Sequence, residues 1–125
     1  MNRSGAALVP LADDVTFDPA RDLLVLVDDV ALDFGRFRLR ASGSAGGHNG
    51  LRHIEQVLGD QTYARLRIGV GPRPMHDDLA EYVLDTFTRE ERDALEADLD
   101  PMCEAIECWF DEGIEAAMNK HNRRP

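Results

Sequence analysis

Apolar positions along the chain change period several times, and each change marks an element. Ala6 to Leu11 reads as a short helix, and Phe17-Asp18-Pro19 as a turn. Leu23 to Val27 is an unbroken apolar run of strand length, the pattern of a strand covered on both faces in a parallel sheet, ending at Asp28-Asp29. Arg36 to Arg40 alternates strictly, setting three arginines on one face against Phe37 and Leu39 on the other, which predicts a second strand. Ser42 to Gly50 is glycine-rich and predicts a loop. Leu51, Ile54 and Leu58 then recur at helical spacing until Gly59 stops the helix. Tyr63 to Val70 alternates again, with Leu66, Ile68 and Val70 on one face and Arg65 and Arg67 on the other. Thr88 followed by Glu91 is a capping-box pattern that starts a helix through Leu95, and Asp100-Pro101 predicts the start of another. Met102, Ile106, Trp109, Phe110, Ile114 and Met118 form the apolar stripe of that last helix and are expected to pack in the core. The order of elements predicts an α/β fold: a mixed, mostly parallel sheet flanked by helices in a single domain.

Composition bounds what such a domain can be. The 125 residues suit one domain rather than two, and 43% hydrophobic with 30% charged residues permits a packed core. No apolar run approaches the roughly 18 residues of a membrane helix. Arg3 and the short stretch Ala6 to Leu11, interrupted by Pro10, make no legible secretory signal, so the expected location is the cytoplasm. Cys103 and Cys108, five apart in one predicted helix, are expected to be reduced core residues.

Charge changes the picture more. The net charge is −10, yet between Arg36 and Arg73 seven arginines face only Glu55 and Asp60, a local balance of +5 against −15 for the rest. Overall acidity disfavours non-specific nucleic-acid binding, whereas a compact basic island can hold a particular phosphate. The preference for arginine over lysine fits either genome composition or bidentate phosphate binding.

Three features could carry chemistry. Asp28 stands at the carboxyl end of an apolar strand, where open α/β sheets place their ligand crevices; a strand-end turn acid is the plainer alternative. Ser44 to Gly50 is a glycine-rich loop leading into a helix. Its backbone amides, uncrowded at Gly46 and Gly47, could receive an anion or a polarised oxygen beside His48 and Asn49, or the loop is simply a tight turn. The arginine faces, Arg36, Arg38 and Arg40 with Arg65 and Arg67, form either a solvated strand surface or a phosphate clamp.

Two long motifs then carry a resemblance. Gly43-Ser44-Ala45-Gly46-Gly47-His48-Asn49-Gly50-Leu51 and Arg65-Leu66-Arg67-Ile68-Gly69-Val70-Gly71-Pro72 resemble, in content and spacing, the bacterial-type peptidyl-tRNA hydrolase family. Met1-Asn2-Arg3-Ser4-Gly5 is similar to its Met-Asn-x-Ser-Gly motif, Val27-Asp28-Asp29 to its strand-end acids, and Glu81-Tyr82-Val83-Leu84 and Trp109 to Asn119 to its lid and final helix. The sequence departs from the pattern at Ala31 and Asp33, where the family carries an acid and a proline.

The resemblance implies hydrolysis of the ester between a peptide and the 3′ end of tRNA, with water as nucleophile, no metal and no other cofactor. It implies that Asp28 orients the catalytic histidine and raises its basicity. Asn2 and Asn49 would position the ester or water and stabilise oxyanion charge. His48, with the Gly46-Gly47 loop, would lie beside the 3′ end, and Arg38 and Arg67 would hold an acceptor-stem phosphate. The expected partner is peptidyl-tRNA, with no membrane, and the complete protein is expected to be a monomer.

Family members begin earlier, with a Gly-Asn-Pro-Gly loop and an Arg-His-Asn segment that carries the catalytic base. The expectation is therefore an N-terminally incomplete form of the fold that is inactive as it stands, from a start assigned too late, a decayed gene or a truncated product. The alternatives are a non-catalytic module that binds RNA ends and a folded remnant without a ligand.

Overall fold

In the computed structural model, which describes residues 4–43, 48–71 and 88–122, the alternating segments form the strands. β1 runs from Leu24–Asp33, β2 from Phe37–Arg40 and β3 from Ala64–Gly71. They make a mixed three-stranded sheet in the order β1-β3-β2, flanked by helices, an α/β architecture as the sequence predicts. Short helical pieces precede the sheet: a 3₁₀ turn over Ser4–Leu8, α1 over Val9–Ala12 and α2 over Pro19–Asp22. α3 spans Asn49–Leu58, α4 Arg89–Glu112 and α5 Ile114–His121. Contacts gather into two units, Met1–Val25 with Arg40–Arg65 and Leu26–Leu39 with Leu66–Pro125, so each strand has residues in both.

In the first unit α3 is the organising element. Leu51 and Ile54 are buried along one face. His48 caps its start, and Gly59, at φ 71°, closes its end with an N–H donated to the Glu55 carbonyl at 2.8 Å. The Ser4–Leu8 turn lies against this helix so closely that a Cβ on Gly5 would meet the His53 carbonyl oxygen and Val57. The Gly5 N–H donates to His53 Nδ1 at 3.1 Å, joining residues 48 apart.

In the second unit Val27, Phe37, Leu39, Leu66 and Val70 are buried, as are Met102, Ala105 and Cys108 of α4 and Ala117 of α5. Phe34 N–H donates to the Gly71 carbonyl and Gly69 N–H to that of Arg36, an antiparallel register. Asn122, just past α5, holds β2: its Oδ1 accepts the Leu39 N–H at 2.8 Å and its Nδ2 donates to the Leu39 carbonyl at 2.7 Å.

Four expectations need correction. First, the Leu23–Val27 run is not covered on both faces. Val25 and Val27 are buried while Leu26, on the opposite face, is 47% exposed, so β1 packs through one face only. The strand also continues through Asp28 and Asp29, since Asp29 finds an arginine on the neighbouring strand. Second, the two acidic-region helices are one. α4 starts at the Thr88–Glu91 capping box, with both reciprocal hydrogen bonds present, and carries Pro101 in its interior. A buried stripe of Asp98, Met102, Ala105 and Cys108, at spacings of four and three, continues across the proline and holds the helix together. The break falls instead at Gly113, whose φ of 94° suits glycine. Third, Phe110 lies outside the core, 80% exposed. Fourth, only Cys108 of the two free cysteines is buried; Cys103 is exposed.

Pro101 lacks the N–H that would complete the helical ladder, and its ring crowds the carbonyl one turn earlier. Pro101→Ala is expected to raise stability by about 2 kcal/mol, read from the urea unfolding midpoint. An unchanged or lower midpoint would mean that the packing of α4 depends on the irregularity.

Candidate functional site

The acidic end of β1 separates two neighbouring carboxylates. Successive strand residues point to opposite faces, so Asp28 and Asp29 cannot serve the same surface. Asp29 is held from two directions: its Oδ1 accepts the Ala31 N–H at 2.9 Å, and its Oδ2 lies 3.5 Å from Arg67 Nη1 on β3. Arg67 thus has its guanidinium fixed by a carboxylate while it keeps partial access to water. Asp28, half-buried, lies on the other face of the strand. On β2 the burial alternates as the sequence predicts, with Phe37 and Leu39 inside and Arg38 and Arg40 exposed.

Arg65 departs from the expected arginine face. Its side chain is fully buried, at 0% exposure, stacked 4.1 Å above the Tyr63 ring. One Nη2 hydrogen bond reaches the Gln61 carbonyl at 2.8 Å, and Nη1 lies 3.9 Å from Glu55 Oε2, which also accepts the Tyr63 hydroxyl at 2.9 Å. Arg65 is a structural cation, tied into the first unit by an aromatic face and a carboxylate. It therefore drops out of any phosphate clamp.

The entry to α3 is built by His48 and Asn49. His48 has the extended backbone of an N-cap, and its Nδ1 accepts the Leu51 N–H at 3.2 Å, satisfying one of the helix's open amides. That bond commits one ring nitrogen to structure. Asn49 is the first helical residue and is exposed, whereas Gly50 beside it is buried. Below Asn49 the helix surface forms a shallow hollow of about 260 Å³ lined by Asn49, Arg52, His53 and Gln56. Of the other sequence-predicted site residues, Asn2, Gly46 and Gly47 lie outside the described residues.

The Asp29–Arg67 pair and the His53–Gly5 tie were not anticipated. Opposite charges at the two strand ends were a usable signal for the first, once the strands were known to be neighbours. No local pattern points to the second, because its partners are far apart in the chain. Among the described residues no group of three or more His, Cys, Asp or Glu is placed to hold a metal ion. None of the described helices is long and apolar enough to cross a membrane.

Arranged this way, the chain has the α/β fold of a known class of hydrolases, the peptidyl-tRNA hydrolases. The crystal structure of peptidyl-tRNA hydrolase from Acinetobacter baumannii matches it with a TM-score of 0.86 at 29% identity, over 98% of this chain and 62% of that one. The family model for peptidyl-tRNA hydrolase matches residues 1–125, and the chain belongs to that family. Among curated relatives, peptidyl-tRNA hydrolase of Chloroflexus aggregans is 48% identical over 122 residues. That of Gemmatimonas aurantiaca is 49% identical over 127. Both alignments take in 98% of this chain, which spans 65% and 66% of those relatives' own lengths.

Proposed function

We propose that this protein hydrolyses the ester that joins a peptide to the 3′ end of tRNA. The observation that carries the reading is the family match over residues 1–125, and the local geometry is compatible with it. In this reading residues 1–125 form one peptidyl-tRNA hydrolase-like domain, corresponding to the C-terminal part of the family fold, and the complete protein is a cytoplasmic monomer that needs no cofactor.

The chemistry follows from what each group can do. Water attacks the ester carbonyl as a general base takes its proton, and when the bond from the carbonyl carbon to the 3′ oxygen breaks, that proton passes to the departing 3′ oxygen of the tRNA. Asp28 serves as the acid that orients that base and stabilises its charged form. Asn49, and Asn2 with it, donates amide N–H groups to the carbonyl oxygen as negative charge develops there. His48, whose Nδ1 caps the helix, lies beside the 3′-terminal nucleotide together with Gly46 and Gly47. Arg67, held in place by Asp29, and Arg38, exposed on β2, take a phosphate of the acceptor stem.

The test is release of the blocked amino acid from N-acetyl-aminoacyl-tRNA, measured with the chain alone and with imidazole added as an exogenous base near neutral pH. Hydrolysis under either condition is expected, falling about 100-fold or more in Asp28→Asn and in Asn49→Ala. Binding of tRNA with no hydrolysis under both conditions would replace this reading with that of an RNA-end-binding module. The absence of both binding and hydrolysis would leave a folded remnant.

A further inference from the structure

α4 stays apolar on part of its outer surface, where a helix at the edge of a fold is ordinarily polar. Its buried stripe, Asp98, Met102, Ala105 and Cys108, is one of two. Leu99, Cys103, Ile106 and Phe110 recur at spacings of four, three and four, which sets them on a second stripe about a third of a turn round the helix. Leu99 is 54% and Phe110 80% exposed, Cys103 is exposed, and Ile106 between them is half-buried. Trp109, the one tryptophan of the chain, meets Phe110 edge-on with ring centroids 6.5 Å apart. Single exposed apolar side chains are ordinary, but four in register over about 16 Å of helix make a continuous ridge.

Charge decides what can cover that ridge. α4 carries ten acidic residues against Arg89 and Arg92, both near its start, a balance of −8. Glu96, Asp100, Glu107 and Asp111 are exposed along the flank of the ridge that faces away from the core. None of these four has an ion-pair partner among the described residues. A nucleic acid or an anionic lipid surface would be repelled here. So would a second copy of the chain, which would bring the same charge against this one. Both features are complemented at once by a helix with apolar anchors at three- and four-residue spacing and lysines or arginines between them.

We propose that the ridge of Leu99, Cys103, Ile106 and Phe110 is a docking surface for a basic amphipathic helix of another protein. The partner's apolar anchors lie along the ridge, with Leu99 and Phe110 at its two ends, and its cations meet the four carboxylates at the rim. Burial of the aromatic end supplies most of the affinity, while the carboxylates set the orientation and speed the encounter. One helix laid on another buries little area, so the complex belongs to the weak, exchanging class.

The probe is a peptide of about 18 leucines and lysines with its leucines at helical spacing, titrated into the 125-residue chain while the emission of Trp109 is followed. Saturable binding is expected, together with slower maleimide alkylation of Cys103. Phe110→Ser is expected to weaken binding about 30-fold, the loss of one aromatic anchor. Leu99→Ser is expected to weaken it about tenfold. Both side chains are exposed, so the urea midpoints of these variants are expected to match the parent. Val15→Ser, which removes an apolar side chain 98% exposed outside the ridge, is expected to leave the affinity unchanged. Raising the salt is expected to weaken binding several-fold, and the same peptide with glutamate in place of lysine is expected not to bind. Equal affinity of the parent, Phe110→Ser and Leu99→Ser would show a peptide held by diffuse charge alone and overturn the proposal, as would no binding of the lysine peptide at low salt. Binding to phosphatidylcholine vesicles in preference to the peptide, or a dimer that Phe110→Ser dissolves, would give the ridge to a membrane or to a second copy instead.

Discussion

Gly71→Ala is expected to unfold the protein or to lower its stability by about 3 kcal/mol, at the top of the range for overpacking. The added Cβ would overlap the Val30 carbonyl oxygen, and on Gly69 it would overlap that of Asp33. In both cases the obstacle is backbone, which has no rotamer to change, so relief requires that β1 move away from β3. The two glycines are two apart and thus on one face of β3, where the last residues of β1 cross. A single alanine at either position is therefore expected to do most of the damage, and the double variant little more. Gly35→Ala is the comparison: its φ of 88° makes alanine strained, but nothing lies within reach of the new methyl. Its cost is expected near 1 kcal/mol. Urea unfolding of the three variants decides the matter, and equal midpoints for Gly71→Ala and Gly35→Ala would show that the crossing is looser than described.

Arg65→Met is expected to cost roughly 3–5 kcal/mol, the usual penalty for removing one partner of a buried pair. Methionine fills much of the same volume but leaves the Glu55 carboxylate facing Tyr63 with one hydroxyl for company. The combined variant Arg65→Met with Glu55→Gln is expected to recover a large share of the loss, because no charge then remains to be compensated. The unfolding free energies of the two single variants and the double give the coupling directly. A double variant as unstable as the sum of the singles would mean that Arg65 matters for its shape and its stacking on Tyr63 rather than for its charge.

Much of this fold was legible because local signals and tertiary packing agree. The apolar residues of α3, its stop at Gly59, the alternation of Phe37 to Arg40 and the Thr88–Glu91 box each state one local preference, and nothing in the packing overrides it. The failures come where packing decides against the local rule. Pro101 reads as a helix start, yet the buried stripe from Asp98 to Cys108 carries the helix through it. Arg65 and Arg67 are equivalent by alternation, but one lies over an aromatic ring in the interior and the other pairs with Asp29 near the surface. No property of the two side chains predicts that difference; it depends on what each strand residue meets. For the candidate site, residue types and motif order were readable along the chain. Which acid binds an arginine and which stands on the opposite face required the register between β1 and β3.

The grip of Asn122 on Leu39 has a consequence for solubility. β2 ends the strand order, and an end strand offers unpaired amides and carbonyls to any other extended chain. One primary amide has a donor and an acceptor set side by side, the same pair a neighbouring strand would offer to Leu39. Asn122 thus acts as a one-residue imitation strand, sealing the margin where another molecule would otherwise begin to zip on. The residue after α5 thus occupies with its side chain the backbone groups that Leu39 would otherwise offer from an end strand.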